Sequence, residues 1–235
     1  MGSLLEHPDC VAALQQKTTR FADRVADADL ASSVDSCPGW SVSDLVVHLG
    51  DVHRWATTAI LEGIDADVDA APGPGQPVAA WYRVGAVRLL DAIRSTPIDR
   101  EVWAFGPPPH RVSFWSRRQL HETVVHLWDL ESAIGDPSPV ESVVAQDAID
   151  EVCSMFYPRQ VRLGRMDPLI STLALEDGTQ RWLLGQGDSP DVTIAGRAAD
   201  LMLLLWKRIG LEDARFEVNG DPDVARRALA EPITP

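Results

Sequence analysis

The sequence predicts an α+β fold, in which a four-helix bundle is followed by a small α+β domain. Apolar residues recur at helical spacing in several long segments before residue 134. Short strand-like runs, separated by turn residues, begin only after residue 168. A loop that contains Gly135, Pro137 and Pro139 lies between the two patterns, so we expect one domain over 1–136 and a second over 137–235.

The first two helices are predicted from apolar spacing and from a capping signal. Residues 8–30 place apolar side chains at helical intervals. Residues 37–40, CPGW, then interrupt the pattern with turn residues. Ser41 and Asp44 have the spacing of a capping box, so the second helix is expected to start near Ser41 and to run to about Glu62.

Two further helices complete the predicted bundle. A glycine- and proline-rich loop over 63–77 precedes a helix over 78–95. The segment 96–111 contains three consecutive prolines, which a helix interior does not tolerate, and a fourth helix fits 112–133. Four helices of this length joined by loops are typical of a bundle.

The C-terminal part combines short strands with helices. Strands are predicted over 169–175, 181–184, 192–194 and 216–218, and helices over 141–157, 196–209 and 222–230. The first two strands are separated by EDGT, residues 176–179, which is a turn signal. Mixed strands and helices in so short a segment predict a small α+β domain.

Composition and charge exclude several classes of protein. Of the 235 residues, 45% are apolar and 24% are charged, which indicates a folded globular chain rather than a disordered one. The formal net charge is −14, and an acidic field repels phosphates, so neither nucleic acid nor an anionic membrane is an expected partner. No apolar run would span a bilayer, and no signal peptide is recognisable. The three cysteines form no CxxC pair, which favours a reduced, cytoplasmic protein.

Four of the six histidines lie in two short segments that are the candidates for chemistry. Residues 44–55 read DLVVHLGDVHRW and hold His48 and His53, and residues 117–129 read RRQLHETVVHLWD and hold His121 and His126. On a helix, Glu122 and His126 lie one turn apart on one face, with Arg118 and Asp129 on the same stripe. A carboxylate and an imidazole at this spacing can bind one divalent cation, although such pairs are also common on solvated helix faces.

A third ligand is available if the second and fourth helices are neighbours. His48 could then join Glu122 and His126, and two histidines with one carboxylate leave an open position on zinc, as catalytic sites do. Asp44 and Asp51 each lie about one turn from His48, so either is a candidate to orient its ring.

The remaining polar candidates have plainer interpretations. His53 and His121 are expected to support a ligand or to lie at the surface, and Cys37 is expected to pack beside its Pro-Gly turn. A purely structural metal site is an open alternative, in which His121, Asp44 or Asp51 closes the coordination sphere as a fourth protein ligand.

Together, the two histidine segments resemble the signatures of the mycothiol-dependent maleylpyruvate isomerase family, an actinobacterial branch of the DinB-like four-helix-bundle superfamily. The likeness runs through CPGWSVSDLVVHLG at 37–50 and FWSRRQLHETVVHLWD at 114–129. VWAFGP at 102–107 resembles the family's connecting segment, and AGRAADLMLLLWKR at 195–208 resembles its C-terminal domain. Leu127 and Asp51 depart from the family pattern, but neither change removes a candidate ligand.

The resemblance implies a DinB-like bundle with one divalent metal, zinc being the favoured ion. His48, Glu122 and His126 match the family's ligand pattern one by one and would be both the metal ligands and the catalytic site. The resemblance also implies a small, sterol-carrier-like α+β C-terminal domain and mycothiol as the thiol cofactor.

Arginines are the expected recognition groups for the cofactor or for an anionic substrate. The resemblance implies an arginine from the C-terminal domain, for which Arg208 is the choice and Arg215 the competitor. Arg54 and Arg118 are further candidates, because a guanidinium binds a carboxylate through two parallel hydrogen bonds.

The activity that the resemblance implies is cis–trans isomerisation of maleylpyruvate-like substrates by reversible addition of a metal-activated thiol to an electron-poor alkene. Addition without elimination would instead make the protein a mycothiol S-transferase, and a thiol-binding module without turnover is a further alternative. The expected partners are a small-molecule substrate and the thiol cofactor, with the protein a monomer or a homodimer.

Overall fold

Four long helices form one unit of the structure, and a small mixed sheet with flanking helices forms the other. The computed structural model describes residues 4–66 and 71–235. Within these ranges, one unit is Leu5–Ser138, and the other is Pro139–Pro235 together with Leu4. The predicted α+β fold class is confirmed. Residues 1–3 of the predicted first domain and residues 67–70 of the predicted loop lie outside the described residues.

The helices of the first unit lie close to their predicted positions. They are α1 (His7–Asp27), α2 (Val42–Glu62), α3 (Val78–Ser95) and α4 (Val112–Ala133). Only α1 differs by several residues, since it ends before residue 30. Its end coincides with a turn in which the side chain of Asp29 accepts a hydrogen bond from the amide of Ala31 at 3.0 Å, a local contact that competes with helix continuation.

The position of α2 in this unit follows from its caps and from its apolar face. Ser41 Oγ accepts from the amide of Asp44 at 3.2 Å, and Asp44 Oδ2 accepts from the amide of Ser41 at 2.9 Å, so the predicted capping box is confirmed. At its other end, α2 stops at Gly63 in the left-handed conformation. Its apolar face packs on α3 and α4. The shared core includes Phe21, Val25, Leu45, Leu49, Trp81, Tyr82 and Leu130.

The second unit is built on a four-stranded sheet. Its elements are α5 (Ser142–Glu151), a π-helical turn (Val152–Phe156), α6 (Tyr157–Arg162), β1 (Leu173–Glu176), β2 (Arg181–Leu184), β3 (Val192–Ala195), α7 (Ala198–Leu205), β4 (Glu217–Gly220) and α8 (Pro222–Ala230). The strand order is β2-β1-β3-β4, with β1 and β3 parallel and the other two pairs antiparallel. Buried apolar residues of α7 and of the two central strands form its core.

Three predicted elements of this unit differ from their predicted bounds by more than two residues, whereas β3 and β4 differ by one or two. The helix expected over 141–157 is divided by the π-helical turn and continues to residue 162. The first strand starts at Leu173 rather than 169, because it is there that pairing with β2 and β3 begins. The helix expected over 196–209 is α7 alone, because Lys207 adopts a left-handed conformation and the amide of Arg208 donates to the carbonyl of Leu203 at 2.8 Å, which terminates the helix.

None of the described helices combines the length and the hydrophobicity that crossing a bilayer requires.

Candidate metal centre

Three potential metal ligands from α2 and α4 converge in the helical unit. Glu122 Oε1 lies 3.5 Å from His48 Nε2 and 3.3 Å from His126 Nε2. The three ligand atoms all lie within 4.8 Å of one another. The packing of α2 against α4 thus brings together the three side chains that the sequence singled out.

The two distances from Glu122 Oε1 match the spacing between ligand atoms around one metal ion better than they match hydrogen-bond lengths. An N–H···O hydrogen bond spans about 2.7–3.2 Å, and both contacts of Glu122 Oε1 are longer. Ligand atoms that surround a tetrahedral zinc ion at about 2.1 Å lie about 3.4 Å from one another. Two imidazole nitrogens and a carboxylate oxygen are also a donor set that zinc accepts, so the residues present fit a divalent cation.

Arg118 directs the carboxylate of Glu122. It lies one turn earlier on α4, is only 3% exposed, and donates to Oε2, so that Oε1 faces the two imidazoles. Burial by itself would raise the pKa of Glu122, but Arg118 and the two histidines outweigh burial and hold the pKa well below its ordinary value. Glu122 is therefore ionised at neutral pH, as a metal ligand must be.

A buried carboxylate contacts the other ring nitrogen of His126. Asp129 Oδ2 lies 2.8 Å from His126 Nδ1, and the Asp129 side chain is fully buried. Burial by itself would lower the pKa of His126, but the interactions with Asp129, Cys37 and Glu122 outweigh it and raise the pKa well above its ordinary value. In the protein alone, these partners therefore favour the charged form of the His126 ring.

The loop between α1 and α2 approaches the same histidine. It is closed by a hydrogen bond from the amide of Val34 to the carbonyl of Trp40 at 2.9 Å, and Gly39 takes the φ of 85° that the turn requires. Ser36 Oγ donates to Asp129 Oδ1 at 2.7 Å, and Cys37 Sγ donates to Asp129 Oδ2 at 3.6 Å. Cys37 therefore does more than pack beside its turn, because its thiol is a partner of Asp129.

Trp40 covers one side of the cluster, and the three proposed ligands differ in their exposure to solvent. The Trp40 ring lies 4.8 Å from the His48 ring and 6.4 Å from the His126 ring, measured between centroids. The side chain of His48 is 38% exposed, whereas those of Glu122 and His126 are 15% and 9% exposed. A small molecule therefore reaches the cluster most directly beside His48.

The predicted recognition arginines make other contacts. Arg54 donates to the carbonyls of Gly50 at 2.8 Å and Trp81 at 2.6 Å, and its guanidinium lies 3.7 Å from the Trp81 ring centroid. Arg208 follows α7 in the second unit and donates to the carbonyl of Trp206 at 2.8 Å. Its competitor Arg215 forms ion pairs with two aspartates of the same unit.

The other histidines of the two segments are interior residues. The surface position expected as one alternative for His53 and His121 is wrong, because both side chains are fully buried. The side chain of Asp44 is engaged in the capping box at the start of α2. The potential ligand groups found among the described residues include neither His121 nor Asp44 nor Asp51, so the structure lends no support to a fourth protein ligand from these three.

Sequence reasoning missed the residues on the far side of His126. Asp129 stands three positions after His126 and was placed on its stripe, so helical spacing could have identified it as a partner. Ser36 and Cys37 lie about ninety residues away in the chain, and only the folded loop brings them to Asp129.

Two family models match the chain. One, described as "Mycothiol maleylpyruvate isomerase N-terminal domain", matches residues 11–131, and the other, described as "MDMPI C-terminal domain", matches residues 144–227. No curated protein sequence matches significantly.

Solved structures share the fold. The chain is similar to a mycothiol-dependent maleylpyruvate isomerase with a TM-score of 0.65 and 15% identity, over 87% of this chain and 91% of that one. A histidine-to-alanine mutant of a mycothiol-dependent maleylpyruvate isomerase gives a TM-score of 0.64 at the same identity and coverage. The first family model alone covers more than half of the chain, and the second covers most of the remainder. The chain therefore belongs to the mycothiol maleylpyruvate isomerase family.

Proposed function

We propose that this protein is a metal-dependent enzyme that uses mycothiol to isomerise a maleylpyruvate-like substrate between its cis and trans forms. The observation that carries the proposal is the convergence of His48 Nε2, His126 Nε2 and Glu122 Oε1 in a member of this family. We keep a cytoplasmic location and a monomeric or homodimeric state as predictions.

The three ligands would hold one divalent cation, which as a Lewis acid lowers the pKa of a neighbouring thiol into the physiological range. Arg118 keeps Glu122 ionised and turns one carboxylate oxygen towards the two imidazoles. The Trp40 ring packs beside both imidazoles, while the exposed side of His48 leaves access for a small molecule.

Arg208 in the second unit is the residue that the family resemblance implies for recognising an anionic substrate, and this role stays a prediction. The guanidinium of Arg54 is engaged by two backbone carbonyls and by Trp81, and that of Arg118 is engaged by Glu122. These contacts favour a second candidate function, transfer of mycothiol to an uncharged electrophile, which needs no carboxylate recognition.

Metal analysis tests the ligand set. We expect about one equivalent of zinc in the wild-type protein and much less in a His126→Ala variant, because removing one of three ligands leaves an incomplete site. His110→Ala, at a histidine outside the cluster, is the matched control and should retain the metal. Equal zinc in wild type and His126→Ala would overturn the assignment.

Product analysis then tests the reaction. Wild-type protein with mycothiol and maleylpyruvate should yield the trans isomer, and a chelator should abolish the activity until zinc is restored. An S-conjugate formed from an uncharged electrophile, without isomerisation, would support the transferase. Thiol binding without either product would leave a binding module as the function.

A further inference from the structure

Polar side chains from α4 and from the loop before α2 converge on the carboxylate of Asp129. His126 Nδ1 lies 2.8 Å from Oδ2, Cys37 Sγ lies 3.6 Å from the same oxygen, and Ser36 Oγ lies 2.7 Å from Oδ1. The carboxylate is fully buried, and a buried carboxylate is costly unless its oxygens are bonded. The three contacts therefore fix its position from two elements of the chain, α4 and the loop before α2.

The direction of these hydrogen bonds sets the state of the His126 ring. An ionised carboxylate only accepts hydrogen bonds, so the contact with an ionised Asp129 requires a proton on Nδ1. In the neutral ring the lone pair then lies on Nε2, the nitrogen that is 3.3 Å from Glu122 Oε1. The Nδ1–H tautomer is thus the one that turns a donor atom towards the other two proposed ligands.

We propose that Asp129 is a positioning residue that holds His126 in the Nδ1–H tautomer and in the orientation needed for metal binding, and that Ser36 and Cys37 hold Asp129. The statement about metal binding rests on the proposed function, whereas the statement about the tautomer does not. Residues that support a metal-bound histidine in this way commonly contribute a factor of about 10–100 in metal affinity.

Zinc affinity, measured by competition with a chromophoric chelator, tests the first statement. In Asp129→Asn the charge is lost and an amide donor replaces one acceptor, so we expect zinc to bind about 10–100 times more weakly than to wild type. Ser36→Ala removes one of the donors that hold Asp129, and we expect a smaller loss in the same direction. Asp136→Asn is the matched control, because that carboxylate lies exposed beyond the end of α4 and pairs with Arg24.

Nitrogen chemical shifts of His126 in the wild-type protein test the second statement without any variant. They are measured in metal-free protein at a pH high enough to make the ring neutral, and the proton is expected on Nδ1. A proton on Nε2 would overturn the proposal. A folded Asp129→Asn with wild-type zinc affinity would overturn it as well.

The two readouts separate this inference from the proposed function. If the wild-type protein binds no zinc, the proposed metal centre fails, while the tautomer still decides the role of Asp129. If the wild type binds zinc and only the expected effects of Asp129→Asn and Ser36→Ala are missing, the positioning role alone fails. Should Asp129→Asn not fold, Ser36→Ala and the wild-type tautomer decide.

Discussion

His53 is a histidine that the fold keeps neutral inside the helical unit. Its side chain is fully buried, Nε2 lies 3.1 Å from Thr123 Oγ1, and the ring packs 5.4 Å from that of Tyr82. Nδ1 has no hydrogen-bond partner among the described residues. Burial lowers the pKa of His53 from 6.5 to about 3, against a smaller opposing effect of Glu122.

This burial predicts a specific loss of stability in mild acid. Between pH 6.5 and pH 3 the unfolded chain binds a proton at His53 that the folded chain does not, so the free energy of unfolding falls as the pH falls. His53→Gln can keep a hydrogen bond to Thr123 but cannot titrate. Between pH 7 and pH 5 the wild type should therefore lose about 2 kcal/mol more than the variant, as measured by urea unfolding at both pH values. Equal losses of unfolding free energy in the wild type and the variant would contradict the burial of a neutral His53 ring.

The candidate site could be predicted from the sequence only as far as helical periodicity reaches. The spacing of Glu122 and His126 places them on one face whatever α4 packs against. The approach of His48 required knowledge that α2 and α4 are neighbours, which periodicity does not contain. Ser36 and Cys37 could not be predicted, because their contacts with Asp129 depend on how a loop closes rather than on a local pattern.

At the scale of elements, the contact between α2 and α3 depends on a glycine. The Trp81 ring lies directly over Gly50, and a Cβ at that position would come within 2.1 Å of the ring. The ring is almost completely buried, so it cannot move aside without disturbing the core. Gly50 therefore sets how closely the Trp81 ring packs on the helix that carries His48.

Gly50→Ala should destabilise the protein although alanine favours a helix. The gain in helix propensity is about 1 kcal/mol, whereas overpacking a core costs about 1–3 kcal/mol, so we expect a net loss of up to about 2 kcal/mol in the free energy of unfolding. Gly85→Ala is the comparison, because its Cβ would meet the guanidinium of Arg54 at 2.5 Å, the end of a flexible side chain. Denaturant unfolding should rank Gly50→Ala as the less stable variant, and the reverse order would contradict this account.

Element bounds were predictable where the chain carries a local signal. The capping box at Ser41 and the prolines before α4 fix their helices almost to the residue. The strand expected from 169 begins at Leu173, because its start depends on where pairing with β2 and β3 begins. The π-helical turn at Val152–Phe156 lies within a stretch that the sequence predicts as one continuous helix.

At the scale of the molecule, the proposed ligands all belong to the unit that ends at Ser138. The order of the two parts, helices first and mixed sheet second, was predictable because the period of the apolar pattern changes along the chain. The net charge of −14 creates a field that favours cations over anions. An anionic substrate therefore has to be recognised by local positive charge, which is why the choice of arginine matters for the proposed activity.

A cation shared by α2 and α4 should stabilise the chain where those two helices meet. A ligand that binds only the folded state adds about 2.7 kcal/mol to the free energy of unfolding when its concentration is 100 times its Kd. The same increase applies to every local opening reaction that separates the metal ligands from one another. Hydrogen exchange of the 235-residue protein should therefore slow on addition of zinc at amides of α2 and α4, and a chelator should reverse the effect. Amides of β1–β4 serve as the internal reference and should change less. His126→Ala should lose the zinc-dependent protection, and equal protection in that variant would mean that the ion binds elsewhere.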